Sequence, residues 1–412
     1  MLVLLLCFLC QVLAFDRINL PLTRQPISRR LISSGATVTV QNHLATQYSV
    51  SISIDGNSYN VQVDTGSADL WVVCSAKKNV ACLSTCPTNG VQIYYGSGNA
   101  CLVPTVGSVQ LGNVAISNGI YGVGMSNSVL TNSTDTSGIL GLAFPVLSTF
   151  NTSNQSYLIS HLDSFSMYLT SKSDEEGSSL ILNGVDEDLI KKNSLVPVTI
   201  PIAVNQTSHW NVLLSGFSMD SNTTAPCKNT ASGCIAVVDS GTTFLSMPRF
   251  LFNQFAQKYL LAQQCTWQTS YYVCSKDVTL PRLGFTLNGT TFYLNSWDYS
   301  MVYSETQILI QLQLTPPGGS SGDRWILGDT FLKVYYTSYL VSQQAIVFYC
   351  PNGNCNGGTN ILDFSRKTKG WALGLFIGGG CLVGLALVGL LVYYFKKRKG
   401  QTTTPGYASQ VA

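Results

Sequence analysis

The chain has 412 residues, 45% hydrophobic and only 10% charged, enough apolar length for two globular units or one large bilobal one, which excludes a small scaffold. Its net charge of +3 is unevenly spread: residues 1–30 hold four Arg and one Asp, residues 366–412 hold seven Lys/Arg and no acid, and residues 31–365 hold 12 basic and 19 acidic side chains, a net of −7. So acidic a main body lacks the clustered Lys and Arg that grip phosphate backbones, and nucleic acid is excluded as a partner. The first 15 residues, MLVLLLCFLCQVLAF, are too short an apolar block to span a bilayer and read as a secretory signal without the usual basic start; a buried N-terminal helix is the alternative.

Further along come many short Val/Ile/Tyr/Thr-rich runs punctuated by Gly, Asn and Ser. YSVSISIDGNSYNVQV (48–63) and VGSVQLGNVAI (106–116) predict hairpins at Asp-Gly and Gly-Asn, so the class is mainly β. Only QSYLISHLDSF (155–165) and PRFLFNQFAQKYL (248–260) carry helical patterns, the second with Pro in a first-turn position. Near the end, the uncharged block from Trp371 to Phe395 would make a helix roughly 37 Å long, sufficient to span a membrane. Lys396, Lys397, Arg398 and Lys399 follow it, which places the tail in the cytoplasm and predicts a single-pass protein with its N-terminus outside. Gly374 with Gly378, and Gly380 with Gly384, have the spacing at which membrane helices approach closely, so helix dimerisation stays open beside a monomeric ectodomain.

Outside the two apolar blocks lie ten cysteines: Cys74, Cys82, Cys86, Cys101, Cys227, Cys234, Cys265, Cys274, Cys350 and Cys355. An even number at a lumenal address predicts up to five disulfides of open connectivity, and with three His, none near a Cys pair, no metal site is expected. Six sequons, at Asn132, Asn151, Asn154, Asn205, Asn222 and Asn288, agree with a lumenal or extracellular surface.

The informative stretch is VQVDTGSADLWVV (61–73). A carboxylate among strand residues loses hydration worth several kcal/mol unless it is paired or hydrogen-bonded, so Asp64 needs a partner. One Asp-Thr-Gly alone is a common turn. Here, however, AVVDSGTTFLSM (236–247) repeats the pattern and offers Asp239 as the partner. Each copy is followed by a second shared element, SGILGLAF (137–144) and WILGDTFL (325–332), as two related lobes meeting at a pseudo-twofold site would require.

On these residues the chain resembles the pepsin family of aspartic proteases, from about Gln47 to Tyr349. IYYGSG (93–98) resembles that family's flap hairpin, with Tyr95, Gly96 and Ser97 at the tip; Trp71 matches the tryptophan behind the flap; and WILGDTFLKVYYT (325–337) resembles the C-terminal lobe signature. FDRINLPLTRQPISRR (15–30) is similar to the basic start of a prosegment, though shorter. The resemblance implies a bilobal β fold, a polypeptide substrate, no cofactor and no covalent intermediate. Asp64 and Asp239 would be the catalytic dyad, Gly66 and Gly241 would donate N–H groups to it, Ser67 and Thr242 would bond its outer oxygens, and Thr65 and Ser240 would cross-link the two loops from beneath.

Two departures stand out. Tyr339 and Leu340 replace the family's Phe-Asp pair, removing one carboxylate near the site. The set Cys74, Cys82, Cys86 and Cys101 lies in an insertion before the flap and does not match pepsin's own short disulfide loop. A catalytically silent binding glycoprotein on the same fold and an adhesion protein with a fortuitous motif are the competing readings; two intact aspartates favour the enzyme. The expected layout is a signal at 1–15, a removable basic prosegment at 16–35, an N-terminal lobe at 36–197, a C-terminal lobe at 198–356, a linker at 357–370, the membrane helix at 371–395 and a cytoplasmic tail at 396–412, with the catalytic domain facing the cell surface or an endolysosomal or vacuolar lumen.

Overall fold

The computed structural model describes residues 36–359 except 44–45, 78–79, 97, 131–135, 151–155, 173–174, 204–207, 229–232, 269 and 316–323. The expected signal, prosegment, membrane helix and tail therefore lie outside the described residues, as do the sequons at Asn132, Asn151, Asn154 and Asn205; Asn222 and Asn288 are exposed. No helix among the described residues is long and apolar enough to cross a membrane.

Turn chemistry sets the first hairpin. Asp55 and Gly56 both take positive φ, 51° and 76°, the geometry of a two-residue turn whose twist matches its strands. It joins Gln47–Ile54 to Asn57–Asp64. Tyr48, Val50, Ile52 and Ile54 on the first strand, and Tyr59, Val61 and Val63 on the second, are buried at the two-residue period of a half-covered sheet. The predicted turn at Gly112 likewise joins two long strands, Gly98–Leu111 and Val114–Asn127.

The repeats found in the sequence become one topological unit used twice. In the first half, Asn57–Asp64 pairs in parallel with Gly138–Gly141, Asp64 beside Gly141, and Leu70–Val73 returns antiparallel on the other side of that same strand. In the second half, Cys234–Val238 pairs in parallel with Trp325–Leu327, and Leu245–Met247 returns antiparallel beside it. Each Ile-Leu-Gly segment is thus the central strand around which an aspartate loop is folded.

The halves are also interwoven. Tyr336–Leu340 pairs with Ser164–Tyr168, and Ala345–Pro351 pairs with Leu195–Pro201, so one sheet of 13 strands draws on both ends of the chain. The boundary expected at 197/198 falls inside Leu195–Pro201. Aromatic side chains from both halves meet beside this sheet: Tyr339 stacks on Phe165 at 4.6 Å and meets Trp210 edge-on at 5.0 Å, while Phe144 lies 4.6 Å from Trp210.

The helical reading of 155–165 is corrected. Leu158–His161 is a single 3-10 turn and Ser164–Tyr168 is a strand, because pairing on both edges and burial of Phe165 and Met167 outweigh the local helical pattern. The other segment is helical over Arg249–Phe255 and continues in wider π turns to Leu260; Pro248 sits at the N-cap, one residue before the expected position. All ten cysteines pair with a sequence neighbour, as 74–82, 86–101, 227–234, 265–274 and 350–355.

Candidate active site

Asp64 ends its strand, and the loop after it must turn back across the neighbouring strand within a few residues. Thr65, Gly66 and Ser67 make that turn and supply its polar partners. The Gly66 N–H donates to Asp64 Oδ1 at 2.8 Å and Ser67 Oγ donates to Asp64 Oδ2 at 2.5 Å. The second loop repeats this: the Gly241 N–H donates to Asp239 Oδ1 at 2.8 Å and Thr242 Oγ1 to Asp239 Oδ2 at 2.7 Å. Hydrogen bonds to an ionised carboxylate are among the stronger ones in a protein, so both side chains are held in fixed orientations.

Both glycines are also needed for space. A Cβ on Gly66 would lie 2.5 Å from Asp239 Cγ, and one on Gly241 would lie 2.6 Å from Asp64 Cγ. Each loop's glycine therefore faces the other loop's carboxylate, which brings the two carboxylates together.

Beneath them the loops are braced by four reciprocal bonds. Thr65 Oγ1 donates to Val238 O at 2.9 Å and accepts from Ser240 N at 2.9 Å; Ser240 Oγ donates to Val63 O at 2.9 Å and accepts from Thr65 N at 3.2 Å. Thr65 and Ser240 are both fully buried, so losing one partner would strand buried donors and acceptors.

The electrostatics are not symmetric. Asp64 is buried and Asp239 only half-buried. Burial, followed by the Asp239 carboxylate, pushes Asp64 well above the ordinary carboxylate range, opposed by the Ser67 and Gly66 bonds. Two interacting carboxyl groups give up their protons as a pair.

Tyr95 lies on Val91–Tyr95, the outer arm of the hairpin formed with Gly98–Leu111, and Trp71 Nε1 donates to Tyr95 Oη at 2.8 Å. Trp71 is fully buried; Tyr95 is half-buried, Gly96 is exposed and Ser97 lies outside the described residues. Below Trp71 sits an apolar cluster that includes Ile93, Leu102, Ile139 and Phe150. Tyr339 is fully buried in the aromatic cluster already described, and Leu340 is partly buried against a separate cluster of Leu189, Tyr336, Val347 and Tyr349.

Two residues escaped the reading of the motif. Asp69 is buried, and it accepts from Ser148 Oγ, from Thr149 N at 3.1 Å and from Thr149 Oγ1 at 2.8 Å, fixing the turn that leads into Phe150. Burial raises its pKa against those bonds. The available signal was a second acid inside the same apolar run. His209, next to the buried Trp210, has its pKa lowered by burial and by Arg324, and Asp239 acts in the opposite direction. No local pattern pointed to it.

The family described as Eukaryotic aspartyl protease matches residues 47–349, about three-quarters of the chain. The chain belongs to this family. This aspartyl protease is similar to pepsin A of Sus scrofa, with 28% identity over 322 residues, 73% of this chain and 80% of that protein. It is similar to pepsin-3 of Oryctolagus cuniculus, 28% identical over 335 residues, 76% of this chain and 83% of that protein. Gastricsin of Mus musculus is 29% identical over 311 residues, 70% of this chain and 76% of that protein. The protein is an aspartic endopeptidase with a mainly β, pepsin-like fold.

Proposed function

We propose that Asp64 and Asp239 are the catalytic dyad of this endopeptidase, that Tyr95, Gly96 and Ser97 form a flap over a bound polypeptide, and that the enzyme is anchored in a membrane with its catalytic domain on the non-cytoplasmic side. The observation that carries the dyad is the approach of each loop's glycine to the opposite carboxylate. Two carboxyl groups so close share one proton. Asp239, ionised, accepts a proton from a water between them; the water oxygen bonds to the scissile carbonyl carbon; and Asp64 passes its proton to the carbonyl oxygen. The product of this step is a neutral gem-diol. Asp239 then gives its proton to the departing nitrogen while Asp64 takes one from a gem-diol hydroxyl, so the C–N bond breaks, acid and amine form, and the dyad returns to its starting state without a covalent enzyme intermediate.

The anchoring reading rests on the 25-residue apolar block Trp371–Phe395, the four basic residues that follow it and the apolar first 15 residues. In this reading residues 16–35 are a removable basic prosegment held to the acidic body and weakened by acidification, as carboxylates depressed by arginine partners are protonated and lose that attraction. Replacing either aspartate by Asn, then measuring peptide hydrolysis and binding of a statine-type gem-diol mimic, tests the dyad; normal turnover in either variant overturns it. For the anchor, the full chain should resist carbonate extraction, and in sealed microsomes added protease should digest the tail and spare the catalytic domain; release by carbonate, or a protected tail beside a digested domain, overturns it.

A further inference from the structure

The insertion between the first aspartate loop and the flap has almost no packing of its own. Residues 81–86 are all exposed, Leu83 at 43%, and among the described residues the segment forms no helix or strand between the short turn Cys74–Ala76 and Val91. Val80 packs against the core and the Leu83 N–H bonds to Met125 O at 3.2 Å; two disulfides tie the segment covalently. Cys74, directly after the strand bearing Trp71, bonds to Cys82, and Cys86 bonds to Cys101.

Cys101 is fully buried on the inner arm of the flap, three residues past Gly98, opposite Gln92 on the outer arm and Ser126 on the neighbouring strand. The outer arm, Val91–Tyr95, is the last strand of its sheet and has a neighbour on one side only. Such an edge strand peels more readily than an interior one, since half of its backbone groups pair with nothing in the sheet. The chain enters this arm five residues after Cys86. The Cys86–Cys101 bond therefore stitches the entry of the outer arm to the inner arm, about 10 Å from the hairpin tip at the strand rise per residue. Tyr95 rides on the stitched arm, latched at its far end by Trp71.

We propose that the Cys86–Cys101 disulfide is a positioning element for catalysis: it holds the outer arm of the flap so that Tyr95 stays at the height where it meets Trp71 and closes over a peptide. The hinge of the flap is thereby confined to the tip beyond Gln92 and Cys101. This inference rests on the reading of Tyr95 as a flap residue.

The test uses the full chain. Cys86→Ser/Cys101→Ser and Cys74→Ser/Cys82→Ser double variants are compared with wild type for kcat and KM on a peptide that fills the cleft, and for amide exchange across residues 91–96. Removing the flap bond is expected to raise KM about fivefold or more and speed exchange in the outer arm, while kcat and its pH profile change less than about twofold. Loss of the 74–82 bond should leave the outer arm's exchange closer to wild type. A merely structural bond would lower Tm and leave KM and outer-arm exchange of the folded protein at wild-type values, and that result overturns the proposal. If the double variant does not fold, the folded wild type is treated with a limiting dithiol, whose first thiolate attacks the sulfur of Cys86, an exposed residue, and releases the Cys101 thiol; its second thiolate then displaces the Cys86 thiol and the reagent leaves as a cyclic disulfide. Alkylated Cys86 and Cys101 are then mapped and KM is measured; unchanged KM in that species overturns the proposal equally. Tyr95→Ala separates the two layers: if it leaves KM and kcat untouched, the flap reading fails, whereas a Tyr95-dependent enzyme indifferent to the disulfide fails the tether alone.

Discussion

The two aspartate loops agree for four residues and then part. Asp64-Thr65-Gly66-Ser67 and Asp239-Ser240-Gly241-Thr242 make the same intraloop bonds, to within 0.2 Å, and the same crossed brace. Two residues further on, Asp69 corresponds to Phe244 and Trp71 to Ser246. On the N-terminal side, Asp69 fixes the Ser148–Thr149 turn, and Trp71 shares an apolar cluster with Phe150 and is bonded to Tyr95. On the C-terminal side, Phe244 joins an apolar cluster with Tyr271, Val273 and Leu309, and Ser246 Oγ accepts from Gln313 Nε2 at 2.7 Å. On the proposed reading, bond cleavage needs equivalent carboxylates, so the loops match there, and the surroundings differ where the N-terminal side builds the 91–111 hairpin of the proposed flap.

The strongest way to break this comparison is at the matched residues. Asp64→Asn and Asp239→Asn should each reduce kcat about a thousandfold or more, with the near-UV circular dichroism of the native fold retained. A large difference between the two would mean that the carboxylates do not act as one unit. Next in size, Gly66→Ala and Gly241→Ala each push a methyl group into the opposite carboxylate, and kcat/KM should fall about a hundredfold in both. Normal activity in either would show that the close approach of loop and carboxylate is not used.

The brace is a matter of stability before activity. Thr65→Val and Ser240→Ala each strand a buried partner and should each cost about 1–3 kcal/mol in denaturant unfolding. Each substitution removes a different two of the four bonds, but the hydroxyls hold each other's backbone N–H in one cross-brace, so in a double-mutant cycle the two losses should be less than additive. Full additivity would indicate that the brace is not one network.

How far these features could be read from sequence follows the same division. The aspartate loops were legible because their constraints are local: a carboxylate in a strand, a glycine where the other lobe intrudes and a hydroxyl at hydrogen-bond range repeat in a fixed order. The Asp55-Gly56 hairpin was legible for a similar reason, since few residue pairs accept two positive φ angles. Ser164–Tyr168 was misread because its partner, Tyr336–Leu340, lies some 170 residues away, and nothing local records that pairing. The cysteine pairing stayed open because ten cysteines admit many connectivities and only the fold brings Cys86 to Cys101. Asp69 was in view within the motif, but its role depends on a turn at residues 148–149 whose position the sequence does not disclose.

The asymmetry in proton affinity gives a smaller, sharper test. Burial and Asp239 raise Asp64, while the Ser67 hydroxyl holds it down, so Ser67→Ala should move the alkaline limb of the kcat/KM profile to higher pH. Thr242→Ala, which acts on the other carboxylate, should move that limb less. The raised carboxyl of Asp64 also contributes stability that is complete below its unfolded pKa and is lost as pH rises through its folded one. Asp64→Asn should therefore flatten the fall in Tm with rising pH, and an unaltered slope would place the proton elsewhere in the pair.

The smallest expected effect belongs to the residue with no counterpart across the site. Asp69 is a buried carboxylate whose pKa is raised by burial, so its sign matches that of Asp64: its contribution is present below the unfolded carboxylate pKa and lost as pH rises through the folded value. Asn at this position keeps an oxygen for the Thr149 N–H and removes the charge, but it cannot accept from both hydroxyls as the carboxylate does. Two opposed consequences follow. In acid, where Asp69 is protonated and also a weaker acceptor, Asp69→Asn should leave Tm nearly unchanged. Toward neutral pH the variant loses a charge-assisted bond of about 1 kcal/mol but also escapes the cost of an ionised buried group, so its Tm should fall less steeply with pH than that of wild type. Because the turn at 148–149 leads into Phe150 beneath Trp71, any activity change should appear in KM, through the flap, and leave kcat alone. A kcat effect as large as that of Gly66→Ala would show that Asp69 acts on the dyad directly, and the division between matched chemistry and unmatched surroundings would have to be drawn one residue later.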